Sequence, residues 1–249
     1  MIRLNDTDIS KEKLQIQLAK LADKKKKIWW ENYVKHNTIF RGVGIPLIRA
    51  ELKNWYQLEK IDTLSLEKQL DLALSFFAEK YTEDKLVGIL FLQIYLYDKF
   101  DYKLLLSRFE SIFNKKYIFD WNVCDWLCIR VLGAMIDIHG MPCAKEISKW
   151  NLAKNLWQAR CSVVAFANLA KKNQYTSLLL ESNKKLIMRK ERFAKTAVGW
   201  ILRELSKVNE QIVINFIKTN KEHFSKESFE NSIKYFKANK KQKIREIFA

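Results

Sequence analysis

The sequence predicts an all-α protein, and three observations carry this prediction. Only 6 glycines and 2 prolines occur in 249 residues, so residues that form turns are scarce. Leucine, lysine, glutamate, isoleucine and alanine are abundant, and most of these residues favour helices. Hydrophobic residues, 48% of the chain, recur at helical spacing. A chain of this length and composition is expected to bury a proper core, as a single domain over residues 1–249.

The apolar stripes predict helices over residues 9–22, 24–36, 46–60, 66–80, 82–98, 101–114, 121–138, 142–151, 153–171, 174–188, 191–206, 208–220, 226–238 and 239–248. Helix starts are marked by predicted N-caps at Ser65, Thr82 and Ser225. Pro46 and Pro142 lie where a first helical turn would begin. The pair His139–Gly140 is typical of a helix end.

Helix pairs recur about every 35–40 residues, a spacing typical of HEAT-like α-solenoids. The amino-acid sequences of these helix pairs barely resemble one another. A compact helical bundle is the alternative, although so many helices would then need longer crossings. We expect a right-handed α-solenoid of HEAT-like helix pairs, with a concave basic face that suits a long, rod-like ligand.

The charge of the chain points to a polyanionic partner. The formal net charge is +17 and the pI is about 9.6, which favours nucleic acid first and an anionic membrane second. A lysine-rich proteome is the alternative explanation of the charge. Basic runs occur at residues 24–27, 171–172, 184–185, 189–192 and 237–245. We expect no apolar run of about 18–20 residues and no signal peptide, hence a cytoplasmic protein without a membrane span.

The chain carries no cofactor motif and no expected metal site. The cysteines form no CxxC pair, and only three histidines are present to help bind a metal. Buried, reduced cysteines of a cytosolic protein are expected at Cys124, Cys128, Cys143 and Cys161.

A carboxylate, Asp125, interrupts an otherwise apolar helix face. Burial of an unpaired carboxylate costs roughly several kcal/mol, so Asp125 is expected to have a structural or functional role. Asn122 as N-cap with Asp125 at the third helical position would form a capping box. Alternatively, Asp125 faces a groove, with Trp121 one turn before it on the same side.

Three further positions stand out. Arg160 breaks an apolar stripe, so its guanidinium either pairs with a carboxylate inside the protein or holds a phosphate. Gly199 lies within a predicted helix at a cost of about 1 kcal/mol relative to alanine. Close helix packing or room for a ligand beside Trp200 would explain it. The segment "FRGVGIP", residues 40–46, contains the GVG of helix-hairpin-helix loops, but Pro46 starts a new helix at once, and a plain loop is expected.

The chain resembles the DNA alkylation repair family of AlkD-like glycosylases, which are HEAT-like repeat proteins. The resemblance covers about residues 28–240. It rests on four segments in order: "YVKHNTIFRGVGIPLIRAELKNW" (33–55), "WNVCD" (121–125), "LWQAR" (156–160) and "RFAKTAVGWILRE" (192–204). The AVGWxLRE end of the last segment is the most specific.

The resemblance implies the site residues. The W-x-x-x-D pair of the family falls on Trp121 and Asp125, its arginine on Arg160 and its second tryptophan on Trp200. Where the family has a lysine just before the Ala-x-Gly-Trp run, this chain has threonine, and Lys195 precedes it. The resemblance assigns DNA binding to Arg160 and Lys195. The family's two adjacent arginines are here an alanine and an arginine.

The resemblance also implies the activity. We expect a monofunctional glycosylase that hydrolyses the N-glycosidic bond of cationic N3-alkyladenine and N7-alkylguanine in duplex DNA without flipping the base. Asp125 would stabilise the sugar cation, and Trp121 and Trp200 would flank the lesion. No cofactor is needed, and a monomer suffices. Non-catalytic binding of nucleic acid by a helical-repeat protein is the alternative, and a protein-binding scaffold is the third possibility.

Overall fold

The computed structural model describes residues 4–248, which contain helices and no strand. The α-helices are α1 Leu4–Lys20, α2 Lys24–Tyr33, α3 Ile45–Leu58, α4 Leu66–Ser75, α5 Thr82–Phe91, α6 Tyr102–Asn114, α7 Trp121–Leu127, α8 Gly133–Lys149, α9 Leu156–Val164, α10 Thr176–Ile187, α11 Arg192–Ser206, α12 Glu210–Thr219, α13 Lys226–Ser232 and α14 Ala238–Phe248. The predicted all-α class is confirmed. The right-handed curvature and the concave basic face remain predictions.

The chain divides into two compact units, Met1–Trp126 and Leu127–Ala249. In the first unit α1 packs on α3 and α3 on α5; in the second α9 packs on α11 and α11 on α13. Contact between every second helix is the pattern of stacked helix pairs. The expectation of a single domain stays a prediction.

Each unit has its own apolar core. Fully buried side chains of the first unit include Leu14, Leu18, Ile48, Leu52, Phe76, Phe77, Phe91 and Phe109. Those of the second unit include Phe166, Tyr175, Leu186, Ile201, Leu202 and Phe229. Most lie at helical spacing on their helices, so the apolar stripes of the sequence identified them.

Several predicted helix starts are confirmed. The hydroxyl of Ser65 accepts a hydrogen bond from the backbone N–H of Lys68 at 3.4 Å. Ser225 caps α13 in a reciprocal capping box with Ser228. Pro46 lies in the first turn of α3, where its missing N–H needs no partner.

The start of α5 differs from the prediction. Thr82 is not a cap: its hydroxyl lies 2.7 Å from that of Thr38, within the core of the first unit. Tyr81 precedes the helix without a side-chain cap. The local signal failed because the hydroxyl has a tertiary partner.

The GVG segment is the predicted loop, and a buried carboxylate holds it. Glu83 accepts hydrogen bonds from the backbone N–H groups of Arg41, Gly42 and Val43 at 2.9, 2.8 and 3.1 Å. Gly42 has φ +96°, and a Cβ there would lie 2.1 Å from the carbonyl oxygen of Asp23. Only glycine therefore fits this turn.

Of two helix ends in the second unit, one was predicted correctly and the other was not. Gly140, with φ 64° and ψ −145°, breaks α8 where a helix end was expected. The predicted helix over 153–171 is wrong in its second half, because α9 ends at Val164. Beyond it the backbone continues in turns with bonds such as Leu169 N–H to the Phe166 carbonyl.

One helical stretch of the described residues, Trp121–Leu152, is long and apolar enough to cross a membrane by length and composition alone. Its most apolar window has mean hydropathy 1.3, so the expectation that no such run exists is wrong. A single stretch of this kind is weak evidence for a span, because the core helix of a soluble protein passes the same test. The window is 44% buried within the protein.

Candidate functional site

Helix α7 carries Trp121 and Asp125 in the first unit. Residues four apart lie on the same helix face, so the indole and the carboxylate share a side of α7. Both residues are half-buried, whereas Val123 and Cys124 between them are fully buried. Asp125 therefore lies at the edge of the apolar core and is not sealed within it.

Asp120 fixes the start of α7. Its Oδ1 accepts a hydrogen bond from the backbone N–H of Val123 at 3.0 Å, and the helix begins at Trp121. The capping-box alternative, with Asn122 as cap, is wrong because the helix begins before that residue. Asp125 lies one turn further along and does not serve as part of the cap.

Asp120 lies among buried charges. Burial raises the pKa of Asp120, and the charge of Asp125 raises it further, while the α7 backbone and Lys85 oppose the rise. The ammonium of Lys85 donates to the carbonyl oxygens of Phe77 and Tyr117. Asp120 was not among the predicted site residues, although an aspartate directly before an apolar helix is a cap signal.

An aromatic cluster adjoins Trp121 in the first unit. The ring of Tyr33 meets that of Trp121 edge-on, with centroids 5.4 Å apart. Trp29 stacks on Tyr33 at 5.4 Å, with 7° between the ring planes. Tyr33 and Trp29 are exposed. Tyr33 opens the first family-like segment, and that position was the available signal for it.

In the second unit, Arg160 connects α9 to α11. Its side chain is buried, and Nη1 donates to the carbonyl oxygen of Phe193 at 2.7 Å and to the hydroxyl of Thr196 at 3.3 Å. One turn earlier on α9, Trp157 lies against Phe193, with ring centroids 5.2 Å apart. The guanidinium therefore holds the first turns of the helix that carries Trp200.

Helix α11 carries the other two predicted site residues. The ammonium of Lys195 donates to the backbone carbonyl of His223. Trp200 is half-buried, with the guanidinium carbon of Arg203 5.9 Å from its ring centre. A Cβ at Gly199 would lie 2.5 Å from the carbonyl oxygen of Ser228 on α13, so close packing explains this glycine.

The structure thus groups Trp121 with Asp125 on α7, and Arg160, Lys195 and Trp200 on and against α11. A carboxylate beside an indole can stabilise a developing cation. Guanidinium and ammonium groups can bind phosphate.

The cysteines lie inside the protein, away from solvent. All four are buried and unbridged, as predicted. Burial raises the pKa of the Cys143 thiol to about 12, so it stays protonated and unreactive at neutral pH.

Comparisons with known proteins bear on the family of the chain. The sequence profile of the family described as "DNA alkylation repair enzyme" matches residues 14–236. A solved structure, "Predicted DNA alkylation repair enzyme from Enterococcus faecalis", is similar in fold with a TM-score of 0.73 and 21% identity, over 87% of this chain and 97% of that chain. No curated protein sequence matches the chain. Because the profile spans most of its length, the protein belongs to the DNA alkylation repair enzyme family, which supports an enzymatic role in the repair of alkylated DNA.

Proposed function

We propose that the protein is a monofunctional alkylpurine DNA glycosylase. It removes cationic N3-alkyladenine and N7-alkylguanine from duplex DNA by hydrolysing the N-glycosidic bond, without flipping the base. The observation that carries the proposal is Asp125, a half-buried carboxylate one helical turn from the half-buried indole of Trp121. The protein acts as a monomer in the cytoplasm.

The proposed chemistry follows from the charge of the lesion. Alkylation makes the purine cationic, so the C1′–N bond breaks with its electron pair leaving on the base, which departs neutral. The sugar left behind is an oxocarbenium-like cation, and the Asp125 carboxylate stabilises it as it forms. Water then adds to C1′ and loses a proton, with Asp125 orienting the water, to give an abasic site.

The remaining residues bind and position the DNA. The rings of Trp121 and Trp200 present π faces that attract the cationic lesion by about 1–2 kcal/mol each. Arg160 and Lys195 hold a backbone phosphate of the damaged strand. Support for this pair is that Arg160 contacts the first turn of α11, on which Lys195 lies, and that the net charge is +17.

The test is release of N7-methylguanine from a methylated duplex. Asp125→Asn should lower the single-turnover excision rate by about 10²–10³-fold, because it removes the charge and keeps the shape. The matched control is Asp137→Asn on α8, an exposed aspartate paired with Lys172, which should excise at the wild-type rate. The abasic product should stay uncut until alkali is added, as expected of an enzyme without lyase activity.

Non-catalytic binding of nucleic acid is the second candidate, and the net charge of +17 favours it. It predicts that wild type and Asp125→Asn both release no base while both bind duplex DNA in a salt-sensitive way. Base release by the wild type that Asp125→Asn abolishes would exclude it.

A further inference from the structure

Helix α2 presents one exposed face that is both basic and aromatic. None of its residues is buried. Lys25, Lys26, Trp29 and Tyr33 recur at the three- and four-residue spacing of a single helix face, and all four are exposed. Such a helix contributes little to the core, so packing does not account for these residues.

The stability of α2 does not account for its lysines either. The N-terminus of a helix carries partial positive charge, so a run of lysines in the first turn opposes helix formation. Asp23 offsets part of this by accepting hydrogen bonds from the backbone N–H groups of Lys25 and Lys26 at 2.8 and 3.2 Å. The lysine side chains therefore extend from a helix that would form more readily without them.

Trp29 is a large apolar ring left in solvent. It is 57% exposed although one ring face stacks on Tyr33. Trp30 also packs against the ring at 84°, with centroids 4.8 Å apart, and the exposed remainder of the ring is accessible to a planar or apolar ligand. Tyr33 in turn contacts Trp121, so the exposed ring is continuous with the proposed site in the first unit.

We propose that this face of α2 is a second DNA-contact surface, which binds the strand next to the lesion. Lys25 and Lys26 contact phosphates, and Trp29 packs against the sugar or base of a neighbouring nucleotide. The inference rests on the proposed function, because it places duplex DNA beside Trp121. Cationic groups interleaved with an open ring match the anionic backbone and planar bases of nucleic acid.

The experiment measures binding of a 20-base-pair duplex over a range of salt concentrations. Lys25→Ala/Lys26→Ala should weaken binding at least about tenfold near 0.1 M salt and flatten the log–log salt slope by about 1.8. Trp29→Ala should weaken binding about tenfold with the slope unchanged, and Trp29→Phe should restore most of the loss. The matched controls are Lys68→Ala/Lys103→Ala, two exposed lysines of α4 and α6, and Leu58→Ala, an exposed apolar residue.

Duplex affinities of the α2 variants equal to those of the controls would overturn the inference. The inference would also be overturned if the α2 substitutions weakened binding to phosphatidylserine vesicles and left duplex binding unchanged. Helix α2 would then be a membrane contact. Excision by wild type with unaffected α2 variants removes the inference and leaves the proposed function. If the wild type excises nothing but the α2 variants bind the duplex more weakly, the proposed function falls and α2 remains a DNA-contact surface.

Discussion

The carboxylate of Asp120 accepts a 3.0 Å hydrogen bond from the backbone N–H of Val123, and this bond sets the start of α7. It makes Trp121 the first residue of the helix and places Asp125 on the second turn. The position of the proposed catalytic carboxylate therefore depends on a different, buried carboxylate five residues earlier.

Replacing Asp120 by alanine should destabilise the protein and slow base release. The helix loses its cap, which is worth about 1 kcal/mol of unfolding free energy, and Asp125 loses its fixed register. Urea denaturation and single-turnover excision measure the two effects. Asp120→Asn keeps an acceptor oxygen and should retain most of both. An alanine variant with wild-type stability and rate would contradict the positioning role.

The pKa of Asp120 predicts a dependence of stability on pH. Burial raises this pKa above its ordinary value of 3.8, so the folded protein binds the proton more tightly than the unfolded chain. The stabilisation is complete below pH 3.8 and is lost as pH rises through the raised folded value. Relative to Asp120→Asn, the wild type should thus lose stability as pH increases above about 4. A difference between the two that is constant with pH would disprove this.

Arg160→Ala should cost stability as well as DNA binding. The buried guanidinium holds the Phe193 carbonyl, so its loss should lower the free energy of unfolding by about 1.5–3 kcal/mol. In the proposed function Arg160 also contacts a phosphate, so the salt slope of duplex binding should flatten by about one unit. Arg245→Ala, at an exposed arginine paired with Glu230, is the charge-matched control. Lost stability with an unchanged slope would restrict Arg160 to a positioning role.

Trp200→Ala should affect base release more than stability. Trp200 is half-buried, so its removal leaves a smaller cavity than the loss of a fully buried ring, whereas the proposed site loses a ring face. Trp150, buried in the same unit, is the control: Trp150→Ala should lower the free energy of unfolding by about 3–5 kcal/mol. Thermal melting and excision rates separate the two variants. A loss of stability at Trp200 equal to that at Trp150 would assign Trp200 to the core.

Local signals predicted the helices of this protein well, because an apolar stripe and a cap are properties of neighbouring residues. Ser65 and Ser225 cap helices as expected, and Gly140 breaks one. Signals that depend on distant partners failed. The acidic start of α5 reads as a solvated first turn, yet Glu83 and Asp84 are buried against a loop about forty residues earlier.

The candidate site was predictable only in part, for the same reason. The spacing of Trp121 and Asp125 is visible in the sequence because both lie on one helix. Arg160 donates to a backbone carbonyl and a hydroxyl on another helix, and no local pattern encodes such contacts. The exposure of the Trp29 ring was equally unpredictable, since tryptophan is highly buried on average.

The hydrogen bonds that Glu83 accepts from the loop at residues 41–43 have a consequence for the order of folding. During synthesis the loop leaves the ribosome well before Glu83, which follows Val43 by 40 positions. Until α5 is in place, the three amide groups of the loop lack the carboxylate that accepts their hydrogen bonds in the folded protein. The loop and α5 therefore acquire their final form together, and an N-terminal fragment that ends before residue 83 would keep this turn unformed.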